Sequence, residues 1–316
     1  MDKKVYIGVD LGGTTIKVGA CNGEGQLLYK FEGPTGTAEG TERVLQNIAD
    51  YVRKVASDAG FAWEQVVGVG IGVAGFMDFK EGFMHLSANI SALNNVAMGK
   101  WLSEELGVPI KFNNDANVAA LGEVWGGAGR GFEDVVLYTL GTGVGGGIII
   151  NGKIHEGGAG MAGELGHLSI VPDLEAIQCG CGQQGCLETV SSATGIIRMA
   201  KDAVERGDRT SLSLLESITA KDVFDAAKAG DEVSLRIINR AAYYLGKSMS
   251  LVAVTLNPQR FIVGGGVSKA GDILFDAIRE VFEKFTPAKA KENVDIIPAE
   301  LGNDAGMIGA AGLLLR

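Results

Sequence analysis

V-Y-I-G-V-D-L-G-G-T-T-I-K-V-G-A, residues 5–20, places a glycine-rich turn between two runs of mainly apolar residues. The first run, 5–9, is typical of a buried strand, and residues 16–20 form a second strand. V-V-L-Y-T-L-G-T-G-V-G-G-G-I-I-I, residues 135–150, repeats this order of strand, glycine turn and strand. No repeat of short period is present, so we interpret the two halves as an old duplication. The pattern predicts two α/β domains.

The segments that follow each glycine turn alternate between helical and strand patterns. The first half continues with strand 27–31, helix 41–59, strand 66–73, helix 97–106 and strand 109–113. The second continues with helices 192–206, 220–229 and 232–256, strand 261–268, helix 272–285 and strand 294–299. We expect residues 1–118 plus 302–316 to form the smaller domain and residues 119–301 the larger one. Each glycine turn is expected to face a central ligand cleft.

Composition excludes several classes of protein. The chain has 316 residues, of which 46% are hydrophobic and 21% charged, as in a well-cored globular protein. Its 28 basic and 38 acidic residues give a net charge of −10, which disfavours a nucleic-acid-binding surface. No apolar run is long enough to span a membrane, and no apolar signal segment follows the first four residues. We expect a cytoplasmic protein without membrane or nucleic-acid partners.

The first glycine turn, D-L-G-G-T-T at 10–15, has the composition of an anion site. Gly12 and Gly13 allow a tight turn whose N–H groups point at an anion, and Thr14 and Thr15 add hydroxyl donors. Asp10 would repel a phosphate, unless a hydrated Mg²⁺ lies between the two. The alternative is a plain hairpin turn, although hairpins favour two-residue N-G or D-G turns.

Two further glycine stretches follow strands. G-T-G-V-G-G-G at 141–147 precedes a predicted strand, whereas a dinucleotide-binding fold would need a helix there. The P-loop motif and the protein-kinase motif set are absent from the sequence. G-G-G-V-S at 264–268 either flanks an adenosine or makes a tight strand-to-helix turn.

A metal site is predicted between residues 164 and 188. Three of the four cysteines lie close together there, at Cys179, Cys181 and Cys186. With His167 they make a four-ligand set of the type that a structural Zn²⁺ prefers, and the intervening glycines allow tight folding. His85 and His155 remain alternatives for the fourth ligand. Cys21, in a predicted strand, is interpreted as a core residue.

Other polar residues point to a polyhydroxylated ligand. Asp115 follows two asparagines at a strand-to-helix junction, where it is either an N-cap or a proton acceptor for an incoming hydroxyl. Glu164 shares a face with His167 if one helical turn spans them, and Glu188 points with Cys186 if the segment is extended. Asn89 and Asn114 would add amide groups.

The chain resembles the ROK family of bacterial sugar kinases and sugar-responsive repressors over its whole length. The resemblance is carried by D-L-G-G-T-T-I-K (10–17), N-D-A-N-V-A-A-L-G-E (114–123), L-G-T-G-V-G-G-G (140–147), G-E-L-G-H (163–167) and C-G-C-G-Q-Q-G-C-L-E (179–188). C-L-E-T-V-S-S-A-T-G at 186–195 is similar to the ATP-dependent glucokinase group of that family.

The resemblance implies an actin-like, ribonuclease-H-like two-domain ATPase fold that transfers phosphate from ATP to a hexose 6-hydroxyl, with glucose as the expected sugar. Asp115 is implied as the catalytic base. The implied sugar ligands are Asn89, Asn114, Asp115, Glu164, His167 and Glu188. The implied nucleotide and Mg²⁺ residues are Asp10, Gly12, Gly13, Thr14, Thr15, Lys17, Thr142, Gly143, Gly265 and Gly266. His167, Cys179, Cys181 and Cys186 match the zinc site of the family.

Two alternatives remain open at this point. A kinase for N-acetylmannosamine, N-acetylglucosamine, fructose or allose would share these motifs. A non-catalytic sugar sensor would share the fold, but the family's repressors need a DNA-binding segment ahead of the first strand. Here Val5 already begins that strand. We also expect a homo-oligomer, either a dimer or a tetramer.

Overall fold

The computed structural model describes residues 4–87 and 89–315 as alternating strands and helices. The strands are β1 (Val5–Leu11), β2 (Thr15–Cys21), β3 (Leu27–Pro34), β4 (Val66–Val73), β5 (Phe76–Asp78), β6 (Phe83–Leu86), β7 (Val96–Ala97), β8 (Ile110–Asn113), β9 (Val135–Leu140), β10 (Val144–Ile150), β11 (Lys153–Ile154), β12 (Arg260–Gly264) and β13 (Asp295–Pro298). The α-helices are α1 (Thr41–Asp58), α2 (Met98–Leu106), α3 (Asp115–Gly126), α4 (Glu188–Ser191), α5 (Ala193–Glu205), α6 (Ala220–Lys228), α7 (Glu232–Leu256), α8 (Asp272–Phe285), α9 (Ala288–Lys291) and α10 (Ala305–Gly312).

The chain divides into two compact units. Unit 1 comprises Met1–Gly131, Asn151–Ile154 and Glu300–Arg316, and unit 2 comprises Phe132–Ile150 and His155–Ala299. The boundary expected between residues 118 and 119 lies within the first turns of α3, whereas the chain divides after Gly131. Helix α3 buries most of its residues, so it packs as a whole with unit 1.

The sheets of the two units share one topology. In unit 1 the strand order is β3-β2-β1-β4-β8; β1 is antiparallel to β2 and parallel to β4, and β4 is parallel to β8. In unit 2 the order runs β10-β9-β12-β13; β9 is antiparallel to β10 and parallel to β12, which is parallel to β13. Each unit therefore begins with an antiparallel pair closed by a glycine turn, as the sequence predicted.

Most predicted elements are present, and the differences have physical causes. Helix α1 buries one face, including Val44, Ile48 and Val52, which confirms its predicted amphipathic pattern. The predicted Thr219–Asp222 capping box starts α6, and Cys21 is fully buried in β2. The strand predicted over 261–268 ends at Gly264. Strands β5, β6 and β7 form a separate small sheet that the sequence did not predict, because they are only two to four residues long.

Strand β10 begins earlier than predicted and includes several glycines. A Cβ on Gly146 would lie 2.5 Å from the Gly163 carbonyl oxygen, and a Cβ on Gly166 would overlap the Val144 carbonyl oxygen. The glycines of 145–147 therefore belong to a strand against which the E-L-G-H segment packs backbone to backbone. The turn itself is limited to residues 141–143.

The C-terminal helix α10 packs unusually close to the unit 1 sheet. Added Cβ atoms on Gly8 of β1 and Gly70 of β4 would overlap the carbonyl oxygens of Met307 and Ala310. On the other side of α10, a Cβ on Gly309 would overlap the Val118 carbonyl oxygen of α3. The α10 backbone thus lies so close to the sheet and to α3 that residues 8, 70 and 309 have no room for a side chain.

No helix among residues 4–87 and 89–315 combines the length and the apolar character needed to cross a membrane.

Replacing Gly70 by alanine should lower the free energy of unfolding by about 3 kcal/mol or more, because the obstructing atom is backbone and cannot rotate away. Denaturant titration of Gly70→Ala beside Gly23→Ala measures this. Gly23 is in the same unit and its added Cβ would meet only an ordinary contact at 3.9 Å. Equal stability of the two variants would contradict the close packing of α10.

Candidate functional site

The first glycine turn is tightly braced. The Gly12 N–H donates to the Thr15 carbonyl at 3.0 Å and closes the turn between β1 and β2. The buried Thr35, directly after β3, donates from its hydroxyl to the Gly12 carbonyl at 2.7 Å and from its N–H to the Thr14 carbonyl at 2.9 Å. The exposed Thr14 is thereby fixed at the tip of the turn. Sequence reasoning missed Thr35, whose only local signal is a threonine between Pro34 and Gly36 after a strand.

Two carboxylates lie near this turn. Asp10, near the end of β1, pairs across the strands with Lys17, and Lys17 Nζ lies 3.6 Å from Asp10 Oδ2. Burial raises the pKa of Asp10, the Lys17 charge lowers it, and the nearby Asp115 charge raises it further. Asp10, Lys17 and Asp115, which the sequence singled out for separate roles, therefore influence one another within unit 1. A divalent cation would relieve the repulsion between the two acids.

Asp115 is not the N-cap of α3. Asn114 takes that role, since its Oδ1 accepts from the Ala116 N–H at 2.9 Å and the Asn117 N–H at 3.3 Å. Asp115 is the first residue of the helix, and its carboxylate remains accessible to solvent. Surrounding protein removes part of its hydration and raises its pKa, while the Ala116 N–H, which it accepts, opposes the shift. The Asn114 oxygen is used by the cap, so the amide N–H₂ is the group that it offers to a ligand.

Asn89 also lies beside the first glycine turn. The main-chain carbonyl oxygen of Asn89 lies against the first turn, as shown by the 2.7 Å that would separate it from a Cβ on Gly13. Residue 13 therefore requires glycine for packing as well as for its predicted anion-binding role. Asn89 is exposed.

Glu123 was part of a motif but had no role assigned from sequence. It is fully buried at the end of the helix that Asp115 begins. Its Oε2 accepts from the Ala128 N–H at 2.8 Å and the Glu300 N–H at 3.2 Å, and its Oε1 accepts from the Leu301 N–H at 2.9 Å. Three N–H donors hold the carboxylate, one from the segment directly after α3 and two from the distant residues Glu300 and Leu301, so Glu123 fixes α3 to the C-terminal part of unit 1. The only sequence signal for this role is a glutamate within the mainly small and apolar segment A-A-L-G-E-V-W.

The second glycine turn, in unit 2, is built around Glu188. Glu188 Oε2 accepts from the Val144 N–H at 2.9 Å, and a Cβ on Gly143 would overlap the same oxygen. Thr142 is exposed at the tip of the turn. Glu188 is the first residue of α4 and not part of an extended segment, so the predicted alternation with Cys186 is wrong. The Glu188 side chain contacts the second glycine turn from the first position of α4.

The predicted metal ligands converge in unit 2. The ligand atoms of His167, Cys179, Cys181 and Cys186 all lie within 4.8 Å of one another. Cys181 Sγ is 3.7 Å from Cys186 Sγ, and Cys179 Sγ is 3.8 Å from His167 Nδ1. Tetrahedral Zn²⁺ with ordinary bond lengths would separate such atoms by about 3.6–3.8 Å, so the four side chains fit a four-coordinate ion. Among the described residues the cluster takes His167, not His85 or His155.

His167 presents its two ring nitrogens to different neighbours. Nδ1 faces the Cys179 sulfur, whereas Nε2 lies 3.8 Å from Glu164 Oε2. Glu164 precedes a single 3-10 turn over Leu165–His167, which gives the two side chains the shared face that the sequence predicted. One nitrogen is therefore available to a metal and the other points towards the carboxylate.

The third glycine stretch has two distinct residues. Gly265 has a φ of 85°, and its added Cβ would overlap the Leu140 carbonyl oxygen, so its backbone alone requires glycine. Gly266 is exposed with no atom within 4 Å of an added Cβ. Packing does not explain glycine at residue 266, which leaves open backbone for a ligand to approach.

The chain is similar to known proteins of one family over nearly its whole length. The model of the ROK family matches residues 6–316. A glucokinase from Halalkalibacterium halodurans is 43% identical over 99% of this chain and 96% of its own length. The solved ROK hexokinase from Thermus thermophilus is 32% identical with a TM-score of 0.83, over 97% of this chain and 96% of its own. An ROK family glucokinase from Streptomyces griseus, solved with glucose and AMPPNP, is 36% identical with a TM-score of 0.77, over 98% of each chain.

These likenesses extend over nearly the whole chain and confirm the predicted α/β fold of the actin-like class. The chain belongs to the ROK family.

Proposed function

We propose that this protein transfers the γ-phosphoryl group of ATP to the 6-hydroxyl of glucose, giving glucose 6-phosphate and ADP. The observation that carries the proposal is Asp115, an accessible carboxylate at the start of α3 whose charge is felt by Asp10 beside the first phosphate turn. Glucose is supported by the glucokinase relative with 43% identity.

Asp115 acts as the proton acceptor. Its carboxylate takes the proton of the sugar 6-hydroxyl as that oxygen attacks the γ-phosphorus, and the oxygen that bridges the β- and γ-phosphates leaves with ADP. Burial raises the pKa of Asp115, which makes it a better base than an ordinary aspartate. The Asn114 amide N–H₂ and Asn89 are assigned to the sugar.

The phosphates and the magnesium ion are assigned to the turns. Thr14 and Thr142 offer hydroxyl donors at the tips of the two turns, supported by the backbone N–H groups of residues 13, 14, 142 and 143, whereas the Gly12 N–H closes the first turn. Asp10 would hold a hydrated Mg²⁺, which offsets negative charge on the transferred phosphoryl group when bound. The Lys17 charge partly offsets the rise that burial causes in the pKa of Asp10. Gly266 and Gly265 would face the nucleoside.

The Cys₃His cluster would hold a structural Zn²⁺. Three thiolates and one imidazole fill all four positions, so no site remains for a reacting water. The ion would fix the segment that presents Glu164, His167 Nε2 and Glu188 to the sugar. We further propose a cytoplasmic homo-oligomer.

An ATP-coupled assay over a panel of hexoses tests the function. We expect glucose to give the highest kcat/KM, with N-acetylglucosamine, N-acetylmannosamine, fructose and allose each at least about tenfold lower, since one misplaced polar group in a site costs on the order of 1–3 kcal/mol. Another sugar ranking above glucose would overturn the assignment.

Asp115→Asn should lower kcat by at least about a hundredfold, because the amide cannot accept the proton, while glucose affinity changes by less than about threefold. Steady-state kinetics and calorimetric glucose binding measure the two effects. Asp50→Asn, at an exposed position of α1, is the control and should keep full turnover.

The pH profile tests the same assignment. Asp115 works only as a carboxylate, and its pKa is raised above the ordinary 3.8, so kcat/KM should fall as the pH drops through a midpoint above that value. An acid limb centred at or below pH 3.8 would argue against Asp115 as the base.

Removing the metal should weaken glucose binding by about tenfold or more, because groups that support a ligand typically change affinity by 10–100-fold. Atomic spectroscopy should measure about one zinc per chain, and Cys181→Ser should lose it. Cys21→Ala is the control and should keep the zinc, because the Cys21 sulfur lies outside the cluster. Unchanged glucose affinity after measured metal loss would refute the supporting role.

A further inference from the structure

The loop at residues 87–94 joins β6 to β7 in the small sheet of unit 1 and carries Asn89. Ser87 and Ile90 are each 1% exposed and Leu93 is fully buried, whereas Asn89 is exposed. The buried residues pack on the unit 1 side of the loop, and two of them belong to the hydrophobic core of that unit. Anchors on both sides of Asn89 therefore hold a side chain that stays open to a ligand.

Ser87 makes three hydrogen bonds that fix this loop. Its Oγ donates to the Ala74 carbonyl at 3.0 Å and accepts from the Ile90 N–H at 3.2 Å. Its own N–H donates to Asn94 Oδ1 at 2.7 Å. The first bond ties the loop to the end of β4, and the other two close the loop on itself. Because Ser87 is buried, its hydroxyl acts on the backbone and not on a ligand.

The end of β4 lies at the edge of the sheet that carries the proposed base. Strands β1, β4 and β8 are parallel, so their carboxyl ends meet at one edge. Asp10 is near the end of β1, Ala74 directly follows β4, and Asp115 is two residues after β8. Parallel sheets bind their ligands at this edge. The bond from Ser87 to Ala74 therefore fixes the loop on the ligand side of unit 1.

Two further contacts hold the same loop. Thr41, the first residue of α1, donates from its hydroxyl to the Ala92 carbonyl. On the other side, the main-chain carbonyl of Asn89 lies against Gly13 of the first glycine turn. The loop is thus held by β4, by α1 and by the phosphate turn. A side chain on a loop held in this way loses little further freedom when a ligand binds, which favours affinity.

We propose that Ser87 and Asn94 are positioning residues, which hold the loop so that Asn89 meets the sugar, and that they thereby set the affinity for glucose. The proposal rests on the function proposed above and deepens its assignment of Asn89. Neither residue takes part in phosphoryl transfer. Their effect belongs to sugar binding and not to turnover.

Ser87→Ala should raise the KM and the calorimetric Kd for glucose by about tenfold, because the Ala74 carbonyl and the Ile90 N–H lose their partner and the loop is released. The kcat should stay within about threefold and the KM for ATP within about twofold, since the proposed base and the two turns are unchanged. Ser103→Ala is the matched control and should leave these constants unchanged. Ser103 is an exposed serine of α2 whose hydroxyl bonds the Lys100 carbonyl.

Asn94 provides an independent test of the same loop. Asn94→Leu removes the oxygen that accepts the Ser87 N–H, so it should raise the KM for glucose by about fivefold or more. Asn94→Asp keeps an acceptor oxygen and should stay within about twofold of the wild type. Loss in the leucine variant with rescue in the aspartate variant identifies the hydrogen bond, and not packing, as the cause. Equal losses in both variants would contradict the positioning role of Asn94.

A double-mutant cycle decides whether Ser87 acts through Asn89. Asn89→Ala should weaken glucose binding, and adding Ser87→Ala to it should weaken binding by less than about a further twofold. Full, independent losses from the two substitutions would overturn the proposal. A lower melting temperature of Ser87→Ala with an unchanged KM for glucose would overturn it as well, because the serine would then have only a structural role.

Calorimetric glucose binding separates failure of this proposal from failure of the proposed function. A wild type that binds glucose without phosphorylating it would contradict the kinase function, while the effect of Ser87→Ala on binding would still test the positioning role. A wild type that binds no glucose would overturn both.

Discussion

The close approach of α10 to its neighbours is the constraint on which unit 1 depends. At Gly8, Gly70 and Gly309 the helix, the sheet and α3 meet backbone to backbone, and an added methyl group would overlap a carbonyl oxygen at each. Asp10 near the end of β1 and Asp115 at the start of α3 lie on two of the elements that are fixed in this way. The separation of these two carboxylates is therefore set by contacts that contain no polar side chain.

In unit 2 the Cys₃His cluster has the corresponding role. Between β11 and α4 the chain has little regular structure, namely one 3-10 turn and isolated bridges. A loop of this length would carry a large conformational entropy, and four protein ligands on one ion would remove much of it. The close contacts of Gly146 and Gly166 fix one end of the loop to β10, and the Cys₃His cluster fixes the other.

Local electrostatics matter more here than the overall charge. The protein carries a net charge of −10, yet the proposed ligand is a polyanion. Backbone N–H groups in the two turns supply positive partial charge where phosphates are proposed to bind, and the Lys17 charge is paired with Asp10. Such fixed dipoles and cations act over a few ångströms, whereas the remaining acidic surface is screened by salt.

The sequence by itself determined the features that depend on neighbouring residues. The strand–glycine turn–strand units, the amphipathic helix α1 and the three clustered cysteines are all visible in short windows, because their geometry follows local periodicity and composition. The choice of His167 as the fourth member of the cluster was predicted as one of three possibilities, and the structure selects it.

Only the tertiary structure decided the features that join distant segments. The bracing of the first turn by Thr35 and the bonds from Glu123 to Glu300 and Leu301 have no distinctive local pattern. The bond from the Val144 N–H to Glu188 is also of this kind. The extended geometry predicted for Glu188 was wrong, because α4 begins at that residue. Each depends on which backbone groups far apart in the chain come within hydrogen-bond distance, and packing of the whole unit sets that distance.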